Sequence, residues 1–291
     1  MAARRSADAK AGRLEAVQVR AMFDRVAGVY DLINTVMTAG LHHRWRERAV
    51  DFANVGPGDR VLDVATGTGD LAIELARRVS PGGEVVGSDF SEQMLTRARL
   101  KGAKAVPGSP PTDPPPSSGA GWSPSNGAVR SGPARLSFEW GDALELPYAD
   151  DSFDAATVGF AARNFADLGR GLREMARVVR PGGRVVVLEM TTPTRPPLSL
   201  FYRVWFDRIV PLIGGLAGGL GRLRGRSASD PAEVTLAEAY TYLPNSVKRF
   251  HSPVALAAEM ERAGCTDIGY VLMAGGIIAV HGATVGGVGT T

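Results

Sequence analysis

Four carboxylates lie around one glycine turn in this sequence, and their spacing limits what the turn can hold. The turn is Gly67-Thr68-Gly69, set between a β-rich run at Arg60–Ala65 and a helical run at about 70–79. Glycine has no Cβ, so a ligand can approach the backbone closely there. With Asp70-Leu71-Ala72 the turn also fits the G-x-G-x-x-A dinucleotide pattern, which is weak evidence taken alone. The acids discriminate. Asp63 precedes the turn and Asp70 follows it. That arrangement repels a pyrophosphate and attracts a sulfonium or an α-ammonium group. S-adenosylmethionine carries both cations and no phosphate.

Asp89 stands 20 residues after Gly69, at the end of a second β-rich run. A carboxylate there can accept hydrogen bonds from both ribose hydroxyls. Gly141-Asp142-Ala143 follows a third run. Asp142 can accept from an adenine amino group while the Ala143 amide donates to the ring. Asp63 or Asp142 alone would read equally well as a turn or capping residue. With Asp89 at this spacing, three loops at strand ends converge on one crevice.

The elements that must hold these loops alternate. Helical spacing covers 14–27 and 43–53, the second ended by Gly56-Pro57-Gly58. Strands are expected at 60–65, 84–88, 136–140, 153–159, 184–190, 266–273 and 276–281. Helices are expected between them at 70–79, 91–101, 167–179 and 253–263. Alternation of this kind predicts an α/β fold with a mostly parallel seven-stranded sheet, helices on both faces and a C-terminal antiparallel hairpin.

Residues 102–135 break the rhythm. Eight prolines, six glycines and six serines fill 20 of these 34 positions. Such a stretch buries too little apolar surface to offset its ordering entropy, so it reads as a disordered insertion within one domain. Residues 14–285 form that domain, with disordered ends at 1–13 and 286–291.

Composition narrows the function classes. A net charge of +3 is too small to argue for nucleic acid. A single cysteine, Cys265, excludes an internal disulfide and a cysteine metal cluster, and no metal site is expected. The basic start has no apolar core, so no signal peptide is expected and the setting reads as cytoplasmic. The apolar stretch Leu198–Leu220 contains Arg203, Asp207 and Arg208, which exclude a spanning helix. Within a cover region at 196–250, it reads as a lid over the sheet that rests on a membrane surface, at the inner face.

The sequence resembles the C-methyltransferase family of menaquinone and ubiquinone biosynthesis, among the Rossmann-like class I methyltransferases. The resemblance is carried by Phe23-Asp24-Arg25-Val26-Ala27-Gly28-Val29-Tyr30-Asp31-Leu32-Ile33-Asn34 and by Gly40-Leu41-His42-His43-Arg44-Trp45-Arg46. Leu146-Pro147-Tyr148, Phe160-Ala161-Ala162-Arg163-Asn164 and Arg180-Pro181-Gly182-Gly183 extend it. It implies S-adenosylmethionine contacts at Thr68, Asp89, Asp142, Ala143 and Gly159, beside Asp63, Gly67 and Gly69 read above. Gly159 departs from the family's usual serine, and Ala161-Ala162 from its usual Gly-Leu.

The acceptor implied is a prenylated naphthoquinol, reduced demethylmenaquinone. Methyl transfer to its ring carbon needs a phenolate, and a phenolic hydroxyl titrates near ~10. Arg163 would stabilise the phenolate, with Asn164 and Tyr30 as a hydrogen-bond relay and Asp31 and His42 as second choices. A homodimer is also expected. Other readings are a methyltransferase of ubiquinone precursors or phenolic metabolites, an NAD-dependent oxidoreductase, and a non-catalytic S-adenosylmethionine-binding scaffold.

Overall fold

The computed structural model describes residues 40–107, 132–194 and 245–286, with Thr38, Pro196, Ser199, Leu200 and Tyr242. The 14–27 helix, Tyr30, nearly all of Leu198–Leu220 and most of the Pro/Gly/Ser-rich segment lie outside the described residues.

Helix α1 (His42–Ala53) leads into strand β1 (Arg60–Val64), helix α2 (Asp70–Arg78), strand β2 (Glu84–Asp89) and helix α3 (Glu92–Ala105). Strands β3 (Arg135–Trp140) and β4 (Phe153–Gly159) follow, then helix α4 (Leu168–Val178) and strand β5 (Val179–Met190). Helix α5 (Pro253–Arg262) precedes β6 (Cys265–Met273) and β7 (Ile278–Val285). The seven strands form one sheet in the order β3-β2-β1-β4-β5-β7-β6. Strands β1 to β5 are parallel, and β7 runs antiparallel between β5 and β6. The expected α/β class, strand number and antiparallel hairpin are all present.

Side-chain alternation sorts the core onto two faces. Val61 and Val85 meet Trp45, Leu75 and Leu95 on one side, whereas Leu62 and Val86 meet Leu172, Met175 and Met260 on the other. Helix α3 is closed at its start by Ser91, whose Oγ accepts from the Met94 amide at 3.2 Å. Asp167 and Ser252 cap α4 and α5 in the same way.

Two bounds differ from expectation. Helix α3 continues to Ala105, four residues into the segment read as an insertion, and Val106 and Ala134 are buried. Gly102 is tolerated inside it because a Cβ there would stand 2.8 Å from Phe138 Cε2. Strand β5 begins at Val179 rather than 184, since Arg180–Gly183 forms a bulge against β4 instead of a separating turn.

The sheet order reverses direction at β1. The chain moves outward from β1 to β2 and β3, then returns to add β4 on the other side. Loops after β1 and β4 therefore diverge to opposite faces and leave a crevice at their C-terminal ends. Val64 is level with Ser88 on β2 and Val158 on β4, so all three strand ends open at one height.

Candidate active site

A cavity occupies that crevice. Its floor is the β1–α2 turn, with Asp63, Ala65, Thr66, Gly67, Thr68 and Asp70. Asp89, Phe90 and Met94 form one wall, and Gly159, Phe160, Ala161, Asn164 and Phe165 form the other. Arg46 of α1 reaches in from above the sheet.

Asp63 is buried and accepts from two hydroxyls, Thr66 Oγ1 at 2.6 Å and Thr157 Oγ1 at 2.8 Å. Burial pushes its carboxyl up to about 6, although both threonines and Arg46 pull the other way. A carboxylate has about four acceptor positions, so each oxygen retains capacity for a ligand cation. Asp89 ties down the turn. Its Oδ2 accepts from the Gly67 amide at 2.8 Å and its Oδ1 from the Ser91 amide at 2.9 Å.

The two glycines of the turn serve different ends. Gly67 has φ +58 and would meet nothing within 4 Å as alanine, so it opens the floor to a ligand. Gly69 has φ +83, and its Cβ would stand 2.8 Å from Phe138 Cζ. Its bareness lets β3 pack under the start of α2. At Gly159 a Cβ would lie 3.2 Å from Leu71 Cδ2, so glycine relieves crowding there.

Asp63, Gly67, Thr68, Asp89, Gly159 and Asn164 are thus brought together, with Gly69 beneath them. Asp142 and Ala143 lie outside the cavity lining. Asp142 is exposed, and its Oδ1 accepts from the Leu144 amide at 2.9 Å, as a turn residue does. Arg163 also stands behind the lining. Its guanidinium donates to Glu189 Oε1 at 2.6 Å and to the Phe160 carbonyl, while its amide donates to Glu189 Oε2 at 3.2 Å. His42 is buried against the Arg46 guanidinium rather than in the cavity.

Four functional neighbours escaped the sequence reading: Arg46, Thr157, Glu189 and Tyr242. Tyr242 donates to Asn164 Oδ1 at 3.0 Å. Signals existed for two of them. Glu189 is the single acid in the otherwise apolar stretch Val185-Val186-Val187-Leu188-Glu189-Met190, where a charge needs a buried partner. Arg46 sits one turn before Val50 on the apolar stripe of α1.

The model of the ubiE/COQ5 methyltransferase family matches residues 10–106 and 125–285, most of the chain. The chain belongs to the ubiE/COQ5 methyltransferase family. The gap in the match falls inside the Pro/Gly/Ser-rich segment. A demethylmenaquinone methyltransferase of Thermus thermophilus is 40% identical over 261 residues, 89% of this chain and 98% of its own length. One from Deinococcus radiodurans is 42% identical over 247 residues, 84% of each chain. The structure of a SAM-dependent methyltransferase from Thermotoga maritima superposes with a TM-score of 0.53 at 17% identity, over 90% of this chain and 97% of that one. The last likeness concerns the fold. The cofactor of this family member is S-adenosylmethionine, and the cavity fits it: a buried carboxylate for a cation, a second for ribose, and a bare glycine between them.

Proposed function

We infer that this protein transfers a methyl group from S-adenosylmethionine to a ring carbon of reduced demethylmenaquinone, giving menaquinone. The observation that carries the reading is the Thermus relative, a demethylmenaquinone methyltransferase matched along 98% of its length. The cavity supports it, because its acids suit a cationic cofactor and oppose a pyrophosphate.

S-adenosylmethionine supplies an electrophilic methyl group on a sulfonium. The chain must orient that group, exclude water and help a quinol hydroxyl lose its proton. Asp63, Thr68 and Asp89 hold the cofactor. Asn164 lines the opposite wall, where it can hydrogen-bond the acceptor oxygen. Arg163 supplies positive potential from behind it, and Tyr30 completes the relay. The buried Glu189 offsets part of the Arg163 charge, so its contribution is fixed orientation as much as field.

Among the described residues no helix is long and apolar enough to cross a membrane. A prenylated acceptor still has to be drawn from a lipid phase, and contact through the Leu198–Leu220 region is proposed for that step. Vesicle flotation of the full chain tests it, and failure to float with anionic vesicles refutes it.

The activity is tested by incubating the protein with S-adenosylmethionine and reduced demethylmenaquinone. Lipid mass spectra are expected to gain one methyl group. No gain with demethylmenaquinone, or tight NAD binding instead, overturns the reading.

A further inference from the structure

Arg46 ends the Gly40–Arg46 segment and takes no part in the methyl transfer proposed above, yet its side chain reaches the cavity while only 9% exposed. Its Nη2 lies 3.0 Å from Asp70 Oδ2, and its Nη1 meets His42 Nδ1. Lys101 of α3 approaches the same carboxylate from the other side. Its Nζ is 2.6 Å from Asp70 Oδ1 and donates to Thr68 Oγ1 at 3.1 Å. One carboxylate is therefore shared by two cations at the first turn of α2. Burial drives the Asp70 carboxyl upward, but Arg46 and Lys101 outweigh it and hold it below the usual range. Lys101 leaves Asp70 compensated when Arg46 turns elsewhere.

The cavity then has two poles. Asp63 is the negative one and Arg46 the positive one, close enough to act on each other electrostatically. The start of α2 adds positive potential, since Gly69 supplies no side-chain cap there. A ligand end that matches such poles is a zwitterion with an ammonium and a carboxylate. The nucleoside end is already served by Asp89.

We propose that Arg46 binds the α-carboxylate of S-adenosylmethionine, with Lys101 keeping Asp70 neutralised while it does so. This rests on S-adenosylmethionine being the cofactor. Guanidinium suits the role, because its planar fork can face a carboxylate with two parallel donors.

Titration calorimetry with S-adenosylmethionine and with its decarboxylated analogue tests the proposal. The analogue keeps the sulfonium and the ammonium and lacks only the carboxylate. The unaltered protein is expected to prefer S-adenosylmethionine by about 10- to 100-fold, the worth of a charge-assisted hydrogen bond. Arg46→Met is expected to abolish that preference while binding the analogue as before, which also shows that it is folded. Equal binding of the two ligands by the unaltered protein overturns the proposal without needing a variant. So does an Arg46→Met protein that retains the preference. Binding of neither ligand by the unaltered protein refutes the cofactor reading itself, and the proposal with it.

Discussion

Arg163 and Glu189 form a 2.6 Å ion pair in which the side chains are only 5% and 1% exposed. Glu189 is next to last in β5, and Arg163 sits on the short turn after β4, so the pair bolts two neighbouring strand ends together behind the cavity. The Glu189 carboxylate also accepts from the amides of Arg163 and Met190. Glu189→Gln keeps the shape and leaves a buried cation without its counter-charge. Breaking such a pair costs about 3–5 kcal/mol. Urea denaturation is expected to show that loss, and Arg163→Ala a comparable one. Activity of an Arg163 variant is therefore interpretable only beside its stability. An unchanged denaturation midpoint for Glu189→Gln would contradict the bolt.

If Asp63 holds the cofactor as proposed, binding is expected to depend on pH. Burial places its titration at about 6 in the free protein, and only the ionised form attracts the cofactor's cations. Above pH 6 the carboxylate is charged and affinity is flat. Below it, protonation competes with the ligand, and affinity is expected to fall nearly tenfold per pH unit. Asp63→Asn is expected to bind about 10- to 100-fold more weakly at pH 7.5, since a charged partner is lost. It should also lack the acid limb. Calorimetry across pH 5–8 checks both, and an acid limb that persists in the variant would assign the titration to another group.

The glycine turn yields opposite expectations for neighbouring positions. Gly67→Ala meets no side chain, so its stability cost is the left-handed strain alone, about 1–2 kcal/mol. Its methyl group projects into the cavity floor, and cofactor affinity is expected to drop sharply. Gly69→Ala carries the same strain and also collides with Phe138, adding about 1–3 kcal/mol. Its loss is expected mainly in thermal stability. Melting curves paired with cofactor titrations separate the two.

Much of the frame is legible in the sequence because strands such as β2 and β4 are short β-rich runs closed by aspartate or glycine. Residues 153–159 are read with the observed bounds. The last strand is read as ending at His281, yet it continues to Val285. Gly282 and Ala283 look like poor strand formers. The small residue is required there, because a Cβ at Gly282 would stand 2.7 Å from Phe52 Cδ1 of α1. Local motifs likewise reveal Asp63, Gly67, Thr68 and Asp89. Arg46 and Glu189 leave only the faint signal of a charge in an apolar pattern, and Tyr242 is not legible as a site residue, since packing between distant elements carries it to Asn164. Asp142 shows the converse: its motif is legible, while its carboxylate is engaged in its own turn.

Tyr242 offers the most selective test of the acceptor wall. Its hydroxyl donates to Asn164 Oδ1 at 3.0 Å, which fixes the orientation of the amide. Burial raises its pKa, opposed by Arg163 and Arg249, so the phenol stays protonated and remains a donor through neutral pH. Tyr242→Phe removes the donor and keeps the ring. Stability is expected to fall by only about 1 kcal/mol, the net worth of one neutral hydrogen bond. Asn164 is then free to rotate away from the acceptor. Turnover with demethylmenaquinone is expected to fall about 10-fold or more, while cofactor affinity stays unchanged because Asp63 and Asp89 are untouched. Steady-state kinetics with both substrates, together with calorimetry, reads out that split. Equal losses in turnover and cofactor affinity would make Tyr242 a general support of the crevice rather than a positioning residue for Asn164.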